Sequence, residues 1–228
     1  MSEPAMEKEM LSKSIQEVIC KEDASACVLL GRLCLQFGQV NRITKHPDGE
    51  LESDTDHTFM LTTLACSFAS KYRPDLDIGL IAQYATVHDF VEVYAGDTDT
   101  LSSFDANQKH DNEEQALRKL KSGFDHSLPW VSKTIEAYNR LDTPEARFVK
   151  FMDKILPKIT HLLNGGGVIW EHGMSIDSIN KRNQQQLATI CATYGKDFPE
   201  VKELFEKTHG LLMAFLTTHQ GHPQIPSG

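Results

Sequence analysis

The 228-residue sequence predicts an all-α protein, a single-domain helical bundle. Three observations predict it. Apolar residues recur at helical steps along most of the chain, alternating strand patterns are scarce, and no internal repeat divides the sequence.

The elements follow in chain order. Residues 1–22 form an expected N-terminal extension, in which "MSEPAMEKEM" lacks the apolar core of a signal peptide and the "EKEM" run reads as a solvated face. Residues 24–39 place Cys27, Leu30, Cys34 and Phe37 at helical spacing, so the two cysteines are expected as small core residues. Residues 41–54, "NRITKHPDGELESD", read as a polar loop with Pro-Asp-Gly turn chemistry. A helix is expected from Thr55, with His57, Leu61, Leu64 and Phe68 on one face at steps of 4, 3 and 4. "RPDLD" at 73–77 breaks it, and the next helix is expected over 77–94. A polar segment, 95–112, leads into a helix ending near Lys121, with Gly123 as its stop. "LDTPEARF" is a helix start, with Thr143 as cap, Pro144 in the first position and Glu145 in the first turn. That helix runs towards Leu163, kinked or shortened by Pro157, and "NGGGV" ends it. Helices over 176–194 and 197–217 close a domain spanning 23–217, and residues 218–228 read as a disordered tail.

Composition narrows the function. Hydrophobic residues make up 40% and charged residues 24%, ordinary values for a globular protein. With 23 basic against 32 acidic side chains the net charge is −9. A nucleic-acid surface needs clustered Lys and Arg to displace counterions, so no nucleic-acid partner is expected, nor an anionic membrane. The five cysteines are odd in number and lack CxxC spacing, which suits reduced thiols and a cytoplasmic location. No apolar run reaches the roughly 18 residues that suggest a membrane span.

Polar residues then appear on faces that should be buried. In "ATVHDFVEVYAGD", residues 85–97, His88 shares a helical face with Ile81, Tyr84 and Val91, and Glu92 follows one turn on. Asp153 lies among Val149, Met152 and Leu156, and His57 among Leu61, Leu64 and Phe68. A buried unpaired carboxylate costs several kcal/mol. Singly, each residue reads as a satisfied core group or a solvated helix end. Jointly, three helices offer imidazole or carboxylate from inward faces, and one divalent cation would engage both. Two nitrogens with two carboxylates suit Mn, Fe, Co, Ni or Zn in an open site, where bound water becomes a nucleophile.

The order His57, His88-Asp89, Asp153 resembles the HD superfamily of metal-dependent phosphohydrolases, and more closely its compact 5′-deoxynucleotidase-like branch. Arg42 stands fifteen residues before His57, as that branch's phosphate-binding Arg does. "HDFVEVYAGD" matches its His-Asp-x-x-Glu-x-x-x-Gly-Asp pattern. "KHDNEEQAL" at 109–117 is similar to its Lys-x-x-x-Glu-Glu-x-Ala-Leu helix, and "VKFMDK" at 149–154 to the strip around its last metal-binding Asp. The resemblance covers residues 24–164.

The resemblance implies a helical bundle of HD type and one metal ion, its identity open among these metals and Mg, held by His57, His88, Asp89 and Asp153. Glu92 would polarise water or shuttle its proton. Asp97, after Gly96, would orient water or the sugar. Arg42 would bind phosphate through its planar fork, with Lys150 reaching the same phosphate and Lys109 a weaker candidate. The implied reaction is in-line attack of metal-activated water on the phosphorus of a (deoxy)nucleoside 5′-monophosphate. A homodimer is also implied.

Two features depart from that branch. Ile43 follows Arg42 where Trp is frequent, leaving deoxyribose against ribose open. "DTDTLSSFDANQKHDN" replaces a shorter loop, and a dNTP triphosphohydrolase releasing tripolyphosphate is the alternative reaction. A silent nucleotide-binding module is the alternative from outside enzymes, opposed by the retained Glu92. His110, His126, His161 and His172 are expected to be structural or exposed.

Overall fold

The structure is a computed structural model that describes residues 21–97 and 106–219. Most of the expected N-terminal extension and tail, Cys20, and part of the 95–112 segment lie outside the described residues. Eleven helices and one strand pair are assigned among the described residues. The first helix, α1, spans Lys21–Phe37. It buries Ala26, Leu33 and Phe37, while Cys27 and Cys34 are exposed. The cysteines are therefore not core residues. The buried stripe runs 26, 33, 37, one residue out of phase with the pair of cysteines.

The stretch expected as a loop is a hairpin. Strand β1 (Asn41–Lys45) pairs antiparallel with β2 (Leu51–Ser53), with Asn41 opposite Ser53, Lys45 opposite Leu51 and an irregularity between. The Pro47-Asp48-Gly49 turn closes it, with Gly49 at φ +93° and its amide donating to the His46 carbonyl at 3.0 Å. Turn chemistry alone identified the reversal. The flanking strands are too short and polar to announce themselves.

Helix α2 (Asp54–Tyr72) begins with a capping box, in which the Ser53 hydroxyl accepts from the Asp56 amide and the Asp56 carboxylate accepts from the Ser53 amide. It buries His57, Leu61, Ala65 and Ala69. Helix α3 (Ile78–Val87) is capped by Asp77, whose side chain accepts from the Leu80 amide. It stops at Val87, short of the expected end, and a four-residue helix, α4 (Glu92–Ala95), follows a tight turn. Helices α5 (Ala106–Phe124) and α6 (Trp130–Arg140) come next. Helix α7 (Pro144–Asp153) starts at the Thr143 cap as expected, its hydroxyl accepting from the Ala146 amide. Pro157 belongs to the first turn of a separate helix, α8 (Leu156–Leu163), so the expected kink is a full break. A short α9 (Gly167–Glu171), then α10 (Ile176–Thr193) and α11 (Pro199–Thr218), complete the bundle.

Three apolar clusters hold these elements. The largest joins α2, α3, α7 and α11, with Leu61, Ile81, Phe148, Phe151 and Phe205 fully buried. A second joins α1, α5 and α6 to Val87, Phe90 and Val91, and a third joins α9, α10 and α11. Fully burying one such side chain is worth ~1.5–3 kcal/mol. Among the described residues no helix is long and apolar enough to cross a membrane.

Candidate metal and phosphate site

Each polar residue singled out in the core sits at an element's end. Arg42 is near the start of β1, His57 in the first turn of α2, His88 just past α3, Glu92 at the start of α4 and Asp153 at the last position of α7. The apolar clusters fix the bodies of these elements, so their ends meet at one place.

Two groups of side chains form there. The donor atoms of His57, His88 and Asp153 lie within 4.8 Å of one another, as do those of Asp54, Asp89 and Glu92. His57 Nε2 is 3.0 Å from Asp153 Oδ1, and its Nδ1 is 3.6 Å from Glu52 Oε1. Burial opposes charge on His57, but the neighbouring Asp153 and Glu52 carboxylates outweigh it and push its pKa up to about 9. Asp153 is held well below the usual carboxylate range: burial works the other way, but Lys154 and the two histidines prevail. Lys154 Nζ is 2.6 Å from Asp153 Oδ2.

His88 supplies the sharpest test of whether a cation fits. Its Nδ1 is 2.8 Å from the Ala85 carbonyl oxygen. A carbonyl only accepts, so Nδ1 carries the hydrogen and, in the neutral ring, Nε2 presents a lone pair. That Nε2 lies 3.0 Å from Asp89 Oδ2 and 3.8 Å from Asp153 Oδ1, yet has no hydrogen-bond partner among the described residues. A lone pair facing two carboxylate oxygens is repulsive unless something positive sits between them. The buried Glu92 Oε2, Asp54 Oδ2 and Glu52 Oε1 are likewise without hydrogen-bond partners among the described residues. The residues fit a divalent cation.

The tight turn after α3 explains the second group. The Glu92 amide donates to the Asp89 carbonyl at 2.8 Å and the Val93 amide to the Phe90 carbonyl at 3.3 Å, both i to i−3 bonds. In such a turn residues three apart eclipse. Asp89 and Glu92 therefore share a side, whereas a continuous helix would have paired His88 with Glu92. Arg42 Nη1 binds them, 2.9 Å from Asp89 Oδ2, 2.9 Å from Asp54 Oδ1 and 3.9 Å from Glu92 Oε2. Burial pushes the Glu92 carboxyl up to about 10, with Asp89 and Asp54 adding to the effect. Asp54 is raised to about 6, again chiefly by burial, despite Arg42.

A cleft of about 380 Å³ opens onto both groups. It is lined by Arg42, His57, Asp89, Glu92, Asp97 and Asp153. Lys109 also lines it, its Nζ 3.6 Å from Glu92 Oε1. Lys150 does not line it: its ammonium lies 5.6 Å from the centre of the Tyr194 ring. Because α7 ends at Asp153, it is Lys154, at the helix cap, that lines the cleft in place of Lys150. Asp54, Glu52 and Lys154 escaped sequence reasoning. Asp54 had a signal, three residues before His57 on the same helix. Glu52 had none, since its inward face depends on the hairpin. Lys154 was legible only from Pro157, which requires the helix to stop.

Of the other histidines, His110 and His126 are exposed as expected, and so is His172. His161 is buried and lines the cleft.

Comparison with known proteins places these observations. A family model described as the HD domain matches residues 36–194. The structure of a predicted metal-dependent phosphohydrolase from Magnetospirillum magnetotacticum MS-1 superposes with a TM-score of 0.66 at 23% identity, covering 86% of this chain and 97% of that one. A conserved hypothetical protein from Pyrococcus furiosus superposes with a TM-score of 0.50 at 16% identity, covering 78% of this chain and 98% of that one. At these identities the likeness is one of fold. No curated protein matches the chain.

Proposed function

This chain belongs to the HD-domain family, and on that premise we propose that it is a metal-dependent phosphohydrolase releasing phosphate from (deoxy)nucleoside 5′-monophosphates. The similar fold of the M. magnetotacticum protein, itself a predicted metal-dependent phosphohydrolase, supports the reaction class. The observation that carries the reading is His88 Nε2, a lone pair aimed at the oxygens of Asp89 and Asp153 beside a second imidazole.

His57, His88, Asp89 and Asp153 would hold the cation. When bound, it supplies a water that is nucleophilic at neutral pH and positive charge against the reacting phosphoryl group. The chain's own residues do the rest. Arg42 keeps Asp54 and Asp89 in place through Nη1 and directs its remaining N–H groups at a phosphate in the cleft. Glu92, as the carboxylate that Arg42 and Lys109 face, takes the proton of the attacking water and passes it to the departing 5′ oxygen. Lys109 steadies the Glu92 carboxylate. Asp97 orients the sugar from the rim. The cleft is near the small end of the ~300–1,000 Å³ range of ligand sites, which favours a mononucleotide.

The test is a substrate panel with Mn²⁺ or Co²⁺, in which ribo- and deoxynucleoside monophosphates and dNTPs are supplied and products identified. Free phosphate from monophosphates is the expected result. Tripolyphosphate from dNTPs, or tight nucleotide binding without turnover under any metal, would overturn the proposal.

A further inference from the structure

The cleft continues beyond the metal end into a second lobe. One face each of α8, α10 and α11 closes it, through Lys158 and His161, through Ile179 and Asn183, and through Leu212. Ile169, Ile179 and Leu212 are buried and give it apolar walls. Against those walls stand polar atoms with nothing to bond. His161 Nδ1 and Asn183 Oδ1 are buried and have no hydrogen-bond partner among the described residues. His161 itself is only 8% exposed. Leaving such a group unsatisfied costs ~1–3 kcal/mol.

The lobe also holds a buried lysine. Lys158 is 8% exposed and has no carboxylate partner among the described residues. Its Nζ lies 3.0 Å from the Lys154 carbonyl, 3.0 Å from Gln186 Oε1 and 3.8 Å from the centre of the Phe205 ring, and the ammonium form has a third N–H beyond the two oxygen bonds. Burial chiefly, then Lys154 and Arg182, oppose charge on Lys158, and Asp153 favours it. Burial and Lys158 keep the His161 imidazole neutral, its pKa lowered to about 4.

We infer that this second lobe is the nucleobase subsite, and that it prefers bases with a keto–imino edge, namely thymine, uracil, guanine and hypoxanthine. The assignment rests on the nucleotidase reading for the presence of a base. Apolar walls suit the two faces of a flat heterocycle. Asn183 Oδ1 accepts from the base's ring N–H, Lys158 donates to its carbonyl, and His161 Nδ1 bonds the remaining polar edge. Adenine and cytosine carry these groups in the reverse order, a ring nitrogen that accepts and an amino group that donates, which would set acceptor against Asn183 Oδ1 and donor against Lys158.

The readout is a ratio, kcat/KM for keto-base over amino-base monophosphates, because partial misfolding lowers both terms equally. Wild-type enzyme loaded with Mn²⁺ is expected to give a ratio of at least ~10, as one well-placed buried hydrogen bond allows. Asn183→Leu should bring it near 1, and Asn183→Asp, which keeps the acceptor, should retain a preference. Lys158→Met, on a different helix, should also lower the ratio and carries the test should Asn183→Leu fail to fold. A wild-type ratio near 1, or a ratio unchanged in both Asn183→Leu and Lys158→Met, overturns the inference. Ligand-observed NMR with free thymidine and deoxycytidine separates the two proposals. If no nucleotide is hydrolysed yet thymidine binds wild type more tightly than deoxycytidine and Lys158→Met erases that difference, the nucleotidase reading fails and the subsite stands. If nucleotides are hydrolysed and neither nucleoside is preferred, the reverse holds.

Discussion

The two ends of the cleft bury polar groups under opposite shortages. At the metal end Glu52, Asp54, Asp89, Glu92 and Asp153 crowd around two imidazoles, answered by Arg42, Lys109 and Lys154. That end lacks positive charge. At the far end Lys158 lies buried with no carboxylate partner among the described residues, beside His161 and Asn183 atoms that bond nothing described. That end lacks carboxylates among its described lining residues. A buried charge without compensation costs several kcal/mol, so each shortage marks what its end is built to receive. One end fits a cation and a phosphate, the other an uncharged, carbonyl-bearing edge.

The largest break in this contrast is Asp89→Asn. It removes half of the ion pair with Arg42 and a proposed metal ligand, so bound metal, measured by elemental analysis, and turnover should both fall to background. Glu92→Ala should retain the metal while kcat drops ~10²–10⁴-fold, the usual worth of a positioned proton carrier. Loss of metal from Glu92→Ala would show that the division between ligand and proton carrier is drawn in the wrong place. Glu52→Gln acts one step further out, through the orientation of His57 Nδ1. Competition with a chelator should show metal affinity weakened ~10–100-fold. Unchanged affinity would remove Glu52 from the site's support.

The smallest effect sharpens the other end. Burial lowers the Lys158 pKa from 10.5 to about 7, with Lys154 and Arg182 contributing. Between those values the unfolded chain holds a proton that the folded chain has released, so unfolding free energy should rise with pH from about 7 towards 10.5. Denaturation across that range should show the rise in wild type and a shallower one in Lys158→Met. Equal slopes would mean that Lys158 stays charged in the folded protein.

Much of the fold was written in local patterns. Thr143-Pro144 starts α7 where the capping chemistry required, and the 176–194 helix matches α10 to within a residue. Where one periodicity was extended too far, the sequence misled. The run from 77 to 94 reads as one helix, but packing of Val87, Phe90 and Val91 into the α1–α5–α6 cluster accompanies a tight turn there. That turn sets Asp89 beside Glu92. Similarly, helical phase placed Cys27 and Cys34 inside α1, and the face that packs is the neighbouring one.

By itself, then, the sequence determined the helical class, the stops and the set of chemically capable residues, because caps, prolines and apolar spacing act within a few residues. Tertiary structure alone decided which of them meet. Whether Lys150 or Lys154 reaches the cleft, whether Glu52 faces His57, and whether α11 closes a second lobe depend on where separate elements end against one another, and residues more than a turn apart in sequence carry no local record of that.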